Sequence, residues 1–205
     1  MPKKVFEELE KEKQDRILDA AIKEFAEYGY ENGSTNRIVS VCGISKGSLF
    51  KYFENKEELY FYLIDTISVQ MAEEMKADIS KLSADLYERV IEYSAAEITW
   101  YAENPVKGKF MIRMAAETDP EIRKKILERY GDQSGNMYLA LLKGTDMSGM
   151  HNGEKEITDV LGWVLQGFNS SFLKEIDGKS DDIGRIRKRY VKKLKTYLNV
   201  LKNGL

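Results

Sequence analysis

Residues 42–53, CGISKGSLFKYF, combine lysines, small polar residues and aromatic residues in one short stretch. Ser45 can cap a helix start, and residues 46–48 would then form the first turn. The unpaired backbone N–H groups and the helix dipole at such a start favour an anion such as phosphate. Leu49 and Phe53 are four residues apart, so they would share one face and hold the helix against a core. The stretch therefore predicts a short helix that presents its polar start to phosphate.

The residues before this helix predict another short helix and a tight turn. Ser34 or Thr35 can act as its N-cap, and Ile38 and Cys42 follow at helical spacing. Gly43 would end it in the left-handed conformation that favours glycine. In a helix-turn-helix the second helix enters the major groove of DNA, with its N-terminal residues at the base edges. The two short helices fit that motif.

Apolar residues recur at helical spacing along the rest of the chain. They predict helices over residues 13–28, 55–79, 83–103, 105–118 and 119–130, and two amphipathic helices over 157–172 and 183–201. Gly29 would be the C-cap of the first, and Asn55 with Glu58 forms a variant of the capping box. Gly131 and Gly135 weaken the prediction that the helix at 119–130 continues, and the glycine-rich residues 143–153 predict a loop.

The composition favours helices over sheets. The chain has 205 residues, of which 42% are hydrophobic and 32% charged, and only three are prolines. Few prolines favour long uninterrupted helices, so we expect an all-α fold. A single cysteine cannot form an intramolecular disulfide, and no apolar run suits a signal peptide or a membrane span. We therefore expect a cytoplasmic protein.

The sequence contains few residues that could serve in catalysis or bind a metal ion. His151 is the only histidine and Cys42 the only cysteine, too few for the usual zinc sites. No GxxxxGK[ST] or GxGxxG pattern occurs, and no pair of carboxylates stands out from the helical surface charges. We expect no metal, no cofactor and no enzymatic activity. His151 is interpreted as an exposed loop residue and Cys42 as a small core residue.

The charge distribution restricts where DNA could bind. The net charge is −2, so DNA contact needs a local basic patch. Residues 33–56 carry four basic residues and one acidic residue, and residues 179–202 carry nine basic and two acidic ones. The continuous apolar stripe of the second patch predicts a dimer-interface helix with a solvated outer face. The alternative is that this helix binds an anionic membrane or a second nucleic-acid segment.

Residues 34–63, STNRIVSVCGISKGSLFKYFENKEELYFYL, resemble the DNA-binding signature of the TetR family of bacterial transcriptional regulators, T-x-x-I-A-x-x-A-G-V-S-K-G-T-L-Y-x-Y-F-x-S-K-E-E-L. Val39 and Cys42 replace frequent alanines, and Phe50 replaces a tyrosine whose hydroxyl would bond phosphate. The resemblance implies a homodimer whose two heads dock on a pseudo-palindromic operator. It also implies a helical body that binds a small molecule and then releases DNA, with repression expected rather than activation.

Positions matched to the family motif imply DNA contacts. Thr35 and Lys56 would hold phosphates at two helix N-termini. The other DNA-binding positions would be Asn36, Arg37, Lys46, Gly47, Ser48, Phe50, Lys51 and Tyr52. The implied domains are residues 11–58 for DNA binding, with the helix-turn-helix at about 34–53, and residues 59–205 for effector binding and dimerisation.

Two sets of residues carry the expectations for the body. The effector pocket would be lined by Tyr87, Tyr93, Trp100, Tyr101, Phe110, Met111, Met114 and Trp163. The dimer interface would use Leu161, Val164, Phe168, Phe172, Ile186, Tyr190 and Leu194. Ordinary helix packing is the alternative for aromatic and methionine stripes. The rival functions are an enzyme with an acid-lined cavity and a protein–protein adaptor that keeps the head only as a scaffold.

Overall fold

The computed structural model describes residues 2, 4–75, 81–142, 145–146, 153–176 and 182–203, and within them the chain forms helices joined by turns and loops. The helices are α1 (Lys4–Glu7), α2 (Lys11–Asn32), α3 (Thr35–Cys42), α4 (Lys46–Tyr52), α5 (Lys56–Met75), α6 (Leu86–Glu103), α7 (Pro105–Ala115), α8 (Pro120–Leu142), α9 (Glu154–Ile176) and α10 (Ile183–Asn203). The predicted all-α fold class is confirmed.

These helices form two compact units. The head unit comprises Met1–Glu74 and Asn104–Asp119, and the body unit comprises Met75–Glu103 and Pro120–Leu205. The head unit thus includes nearly all of α5 and the whole of α7 as well as the helix-turn-helix. The division into a DNA-binding domain at 11–58 and an effector and dimerisation domain at 59–205 stays a prediction.

The core of the head unit is built from the apolar faces of α2, α5 and α7. Ile17 and Phe25 on α2 and Leu63 on α5 are completely buried. Tyr60 joins the three helices, because its ring lies 5.1 Å from that of Phe25 and 5.4 Å from that of Phe110 on α7. Both ring pairs meet edge to face, a favoured aromatic geometry. The resulting platform supports the helix-turn-helix.

Two glycines of the head unit have a positive φ. Gly43, with φ of 66°, ends α3 in the left-handed conformation, as predicted. Gly29 has φ of 71°, but α2 kinks there and continues to Asn32. The non-helical backbone of Gly29 therefore interrupts the regular helix where its end was predicted, and a short helical extension follows it. The extension matters because the ammonium group of Lys56 on α5 donates hydrogen bonds to its backbone carbonyls.

The core of the body unit lies between α6 and α10 and between α8 and α9. Tyr190, Leu194 and Leu198 of α10 are at most 1% exposed, so the apolar stripe of this helix is covered within the unit. Hydrophobic burial of that stripe leaves the basic side of α10 as its outer face.

The helix α8 differs from the expectation. It runs through Gly131 and Gly135 to Leu142, so the expected interruption does not occur. Glycine costs about 1 kcal/mol relative to alanine inside a helix, which a long helix can tolerate. Of the predicted loop at 143–153, residues 145–146 and 153 are described and are not helical. His151 lies outside the described residues.

Candidate nucleic-acid interface

Side-chain caps fix both helices of the helix-turn-helix. The hydroxyl of Ser34 accepts a hydrogen bond from the backbone N–H of Arg37 at 3.4 Å. The hydroxyl of Ser45 accepts one from the N–H of Ser48 at 3.0 Å. Each cap satisfies an N–H group that a helix start leaves without a partner. The predicted caps at Ser34 and Ser45 are confirmed.

The recognition helix α4 has a buried side and an exposed side. Leu49 is 1% exposed and Phe53, just past the helix, is completely buried. Lys46, Gly47 and Lys51 are exposed, and Ser48 is partly exposed. An apolar anchor opposite a small, basic face is the arrangement that a helix needs in order to enter a major groove. Contact of these residues with DNA stays a prediction.

Gly47 has no structural reason to be glycine within the protein. A Cβ atom at this position would meet only the hydroxyl of Ser45, at 3.9 Å. Its φ is not positive, since the described glycines with positive φ are Gly29 and Gly43. Glycine inside a helix costs roughly 0.5–1 kcal/mol relative to alanine. An exposed glycine without an internal role fits a surface that another backbone approaches closely.

Arg37 is held by an ion pair inside the head unit. Its Nε donates to the two carboxylate oxygens of Glu24 at 2.9 and 3.1 Å, and its Nη2 donates to the carbonyl of Asn32 at 2.8 Å. Glu24 is 8% exposed and also accepts from the backbone N–H of Ser34 at 2.7 Å. The hydrogen bonds to Glu24 raise the pKa of Arg37. The pair ties α2 to the start of α3, so Arg37 has a structural role besides the predicted DNA contact.

Lys56 makes hydrogen bonds inside the head unit, and the phosphate contact predicted for it stays a prediction. Its ammonium group donates to the carbonyls of Tyr30, Glu31 and Gly33 at 2.8, 3.2 and 3.2 Å. It also lies 4.4 Å from the centre of the Tyr30 ring. A lysine has three N–H donors, so these carbonyls use all of them. Burial is the main influence on Lys56 and lowers its pKa. Lys56 therefore caps the C-terminal end of α2.

The other predicted contact residues differ in exposure. Tyr52 is only 6% exposed, so the expectation that it faces outward is wrong. Its ring packs 5.9 Å from that of Phe6, on a helix that precedes the predicted domain start. Asn36 is exposed, and Thr35 and Phe50 are partly buried. Sequence reasoning missed Phe6 although a valine–phenylalanine pair between charged residues was visible.

Cys42 is a core residue of α3, as predicted. It is 3% exposed, and its thiol donates a hydrogen bond to the carbonyl of Ile38 at 2.9 Å. Burial raises the pKa of the Cys42 thiol.

Known proteins share this head and this fold. Residues 17–63 match the family model described as bacterial regulatory proteins, tetR family. The first part of the chain is thus similar to the DNA-binding head of the tetR family. A protein of Bacillus subtilis strain 168 named fatty acid metabolism regulator protein is 29% identical over 146 residues, which is 71% of this chain and 72% of that protein. An HTH-type transcriptional repressor of Mycobacterium tuberculosis is 39% identical over 57 residues, 28% of this chain and 30% of that protein.

Solved structures of TetR-family proteins share the architecture of the whole chain. A TetR family transcriptional regulator from Chloroflexus aurantiacus J-10-FL matches with a TM-score of 0.69 at 19% identity, over 100% of this chain and 98% of that chain. The transcriptional regulator FadR from Bacillus subtilis, solved in complex with stearoyl-CoA, matches with a TM-score of 0.67 at 19% identity, over 87% of this chain and 96% of that chain. The protein is a DNA-binding transcriptional regulator.

The residues predicted for the effector pocket do not lie in one unit of the fold. Phe110, Met111 and Met114 belong to α7 in the head unit, and the other five belong to the body unit. Phe110 is 1% exposed against Tyr60, so it is a core residue of the head. Trp163 is 70% exposed on α9. The expectation that all eight line one pocket stays a prediction.

A polar cluster that the sequence did not reveal lies in the body unit. The carboxylate of Glu97 on α6 accepts hydrogen bonds from the hydroxyl of Tyr101 at 3.2 Å and from the amide of Asn169 on α9 at 3.4 Å. Asn169 in turn accepts from the hydroxyl of Tyr190 on α10. Burial raises the pKa of Glu97, against the two hydrogen bonds, which lower it. The cluster joins three helices through groups that could also bond a ligand.

The residues predicted for the dimer interface are mostly covered within the protomer. Tyr190 is 1% exposed and Leu194 is completely buried, because the apolar face of α10 packs inside the body unit. The other covered members are Leu161, Phe172 and Ile186. Val164 and Phe168 are partly exposed. The five covered residues therefore expose little area to a partner, and the predicted interface stays a prediction.

The exposed apolar side chains of these last two helices are different residues. Val160 is 40% and Trp163 is 70% exposed on α9, and Ile183, Tyr197 and Val200 are 37%, 54% and 40% exposed on α10. Gly167 and Ser171 lie along the same stretch of α9 and are exposed too.

Acidic residues neutralise part of the basic patch on α10. Lys195 pairs with Glu88 at 3.3 Å, Lys202 with Asp85 at 3.6 Å, and Lys193 with Glu175 at 2.5 Å. The apolar stripe that would enter a lipid surface is covered by the rest of the body unit. The alternative of membrane binding by this helix thus loses its apolar surface and part of its positive charge.

None of the described helices is both long and apolar enough to cross a membrane. The described residues also contain no group of three or more histidine, cysteine, aspartate or glutamate side chains placed to hold a metal ion.

Proposed function

We propose that the protein is a repressor that binds a pseudo-palindromic operator as a homodimer and leaves it when a small molecule occupies the body. The observation that carries the proposal is the exposed face of α4. This face presents Lys46, Gly47 and Lys51 over an apolar anchor, at a helix start capped by Ser45. Lysines there supply affinity through phosphate, and the small first turn allows contact with base edges.

The residues that support the proposed homodimer lie on α9. Val160 and Trp163 are large exposed apolar residues of this helix, and the small residues Gly167 and Ser171 continue the same stretch. Large apolar side chains beside small ones allow two helices to approach closely and exclude water. Partners related by a two-fold axis would place two heads on successive major grooves about 34 Å apart.

The effector that we propose is a fatty acyl thioester. The relative named fatty acid metabolism regulator protein matches 146 residues, far more than the head alone, so the likeness extends into the body. A long acyl chain suits a mainly apolar helical body with few polar anchors. In this chain the anchors would be Glu97, Tyr101 and Asn169.

Two elements could carry the effector signal to the heads. The helix α5 runs from the head unit to Met75, where the body unit begins. The helix α7 follows α6 directly in the chain and holds α2 by two contacts. Lys109 pairs with Glu27 at 2.7 Å, and Arg113 donates to the carbonyl of Ala26 at 2.6 Å. Effector binding that displaces α6 or α5 would change the spacing of the two heads.

The test uses DNA selected from a random duplex library by the full-length protein. Gel shifts with the selected duplex, at a stated salt concentration, should show a complex of one dimer per site. Stearoyl-CoA should release this complex, and coenzyme A alone should not. A duplex bound with stearoyl-CoA as tightly as without it would contradict the effector, and failure to select any sequence would contradict the operator.

The rival adaptor function is tested by two substitutions in α4. Lys46→Ala and Ser48→Ala should each weaken binding of the selected duplex, because both residues lie in the first turn of α4. An adaptor that keeps the head only as a scaffold would tolerate both. An enzyme would require a polar, acid-lined cavity in the body.

A further inference from the structure

The N-terminal helix α1 packs on the end of the recognition helix. Phe6 of α1 is completely buried. Its ring lies 4.8 Å from Phe53 and 5.9 Å from Tyr52, at the C-terminal end of α4, and 6.0 Å from Tyr62 on α5. One side chain therefore joins the recognition helix to the platform behind it.

The connection from α1 to α2 is also fixed. The side-chain amide of Gln14 on α2 donates to the carbonyls of Leu9 and Glu7, at 2.8 and 3.2 Å. These hydrogen bonds hold the turn between α1 and α2. They therefore help to keep Phe6 in its position against α4. Val5, beside Phe6, is 50% exposed, whereas Phe6 is completely buried.

The pose of α4 depends on such contacts more than the pose of a long helix would. α4 has seven residues, just under two turns, so only about one turn of anchoring surface follows its first turn. Leu49 fixes its middle from inside, while Tyr52 and Phe53 fix its C-terminal end. A tilt at that end would move the exposed first turn relative to the base edges, where hydrogen bonds tolerate little displacement.

We propose that Phe6 is a positioning residue for sequence reading: it clamps the C-terminal end of α4 against α5 and so sets how the first turn of α4 meets the base edges. Phe6 itself contacts no DNA. The inference rests on the proposed DNA reading by α4, and it extends that reading to a helix outside the helix-turn-helix.

The decisive quantity is the ratio of affinities for two duplexes. One is the duplex selected by the wild-type protein, and the other has the same length and a scrambled sequence. Phosphate contacts contribute to both affinities, whereas base contacts contribute only to the first. Phe6→Ala should lower the ratio about tenfold, the size expected when one good base contact is lost. Val5→Ala, on the same helix, should leave it unchanged.

A purely structural role for Phe6 would give another result. Loss of folded protein lowers both affinities equally, so an unchanged ratio in Phe6→Ala would overturn the proposal. Gln14→Ala removes no buried aromatic ring and serves if Phe6→Ala does not fold. It should lower the ratio in the same direction, by about threefold, and an unchanged ratio there would overturn the proposal equally. A wild-type protein that selects no duplex would instead contradict the proposed function.

Discussion

At the scale of single residues, the matched family positions divide into those that face outward and those that hold the head together. Lys46, Gly47 and Lys51 are exposed on α4, whereas Arg37 and Lys56 make hydrogen bonds to other parts of the head unit. A motif match alone does not distinguish the two groups, because it records residue type and not the partner of each side chain.

Gly47→Ala separates folding from DNA binding. Alanine should raise the free energy of unfolding by about 0.5–1 kcal/mol, since nothing in the protein crowds a Cβ there. The same methyl group should weaken binding of the selected duplex, because it stands on the exposed face of the recognition helix. Urea unfolding and gel shifts measure the two effects. Equal or tighter DNA binding would show that no backbone approaches Gly47.

Lys56→Ala should act on stability, with Lys46→Ala as its counterpart. Removing the cap on three carbonyls should lower the free energy of unfolding by about 1.5–3 kcal/mol, the range for hydrogen bonds to a charged group. The salt dependence of DNA binding should stay as in the wild type. Lys46→Ala should do the reverse and reduce the slope of log K against log salt by about one. A reduced slope of log K against log salt in Lys56→Ala would instead indicate that Lys56 contacts a phosphate.

At the scale of elements, local signals in the sequence predicted helix starts better than helix partners. Ser34, Ser45 and Asn55 were predictable N-caps because a cap bonds within a few residues, and the amide oxygen of Asn55 does accept from the N–H of Glu58 at 2.8 Å. The burial of Tyr52 under Phe6 depends on a helix 46 residues away in sequence, which no local pattern encodes.

The amphipathic helix α10 shows the same limit. Its stripe was correctly predicted to be buried, but a stripe does not say what buries it. The choice between a partner subunit and α6 depends on the tertiary fold, and Tyr190 and Leu194 are covered inside the protomer.

The contact between α7 and α2 should carry part of the effector response. Arg113→Ala removes the bond to the carbonyl of Ala26, so α7 should transmit its movement less firmly. DNA affinity without effector should change little, and the effect of stearoyl-CoA on that affinity should fall by about 0.5–2 kcal/mol. Arg123→Ala, an exposed arginine of α8, is the control. An unaltered stearoyl-CoA response in Arg113→Ala would exclude this contact from the route.

Glu97 should make the body less stable as pH rises. The pKa of this carboxyl is raised in the folded protein, so the folded state binds more protons than the unfolded one. The free energy of unfolding should therefore fall from about the ordinary pKa of 4.5 upward through the raised value. Glu97→Gln removes this decrease and should be more stable than the wild type at neutral pH. Urea unfolding across a pH series measures it.

Glu103→Gln, an exposed position at the end of the same helix, is the matched control for Glu97→Gln. It should retain the decrease that the wild type shows. If the free energy of unfolding of Glu97→Gln depends on pH as it does in the wild type, another group causes the decrease.

At the scale of the whole molecule, the exposed apolar residues of α9 should decide the oligomeric state. Trp163→Glu places a charge in the centre of the proposed interface, where an unpaired charge is costly to bury. Light scattering should find a dimer for the wild type and a monomer for this variant. Binding of the selected duplex should fall at least about tenfold, because one head alone reads half a site. Leu127→Glu, at a 59% exposed position of α8, should remain dimeric.

Cys42 makes the molecule convenient for labelling. It is the only cysteine of the chain, and its thiol is buried, hydrogen-bonded and held in the unreactive protonated form by a raised pKa. Thiol reagents should therefore leave the native protein unlabelled. A nitroxide attached through Asp19→Cys, on the exposed side of α2, would then be the single spin in each protomer. Dipolar spectroscopy of the dimer would then measure the distance between the two labelled heads, both in the free protein and in its complex with DNA.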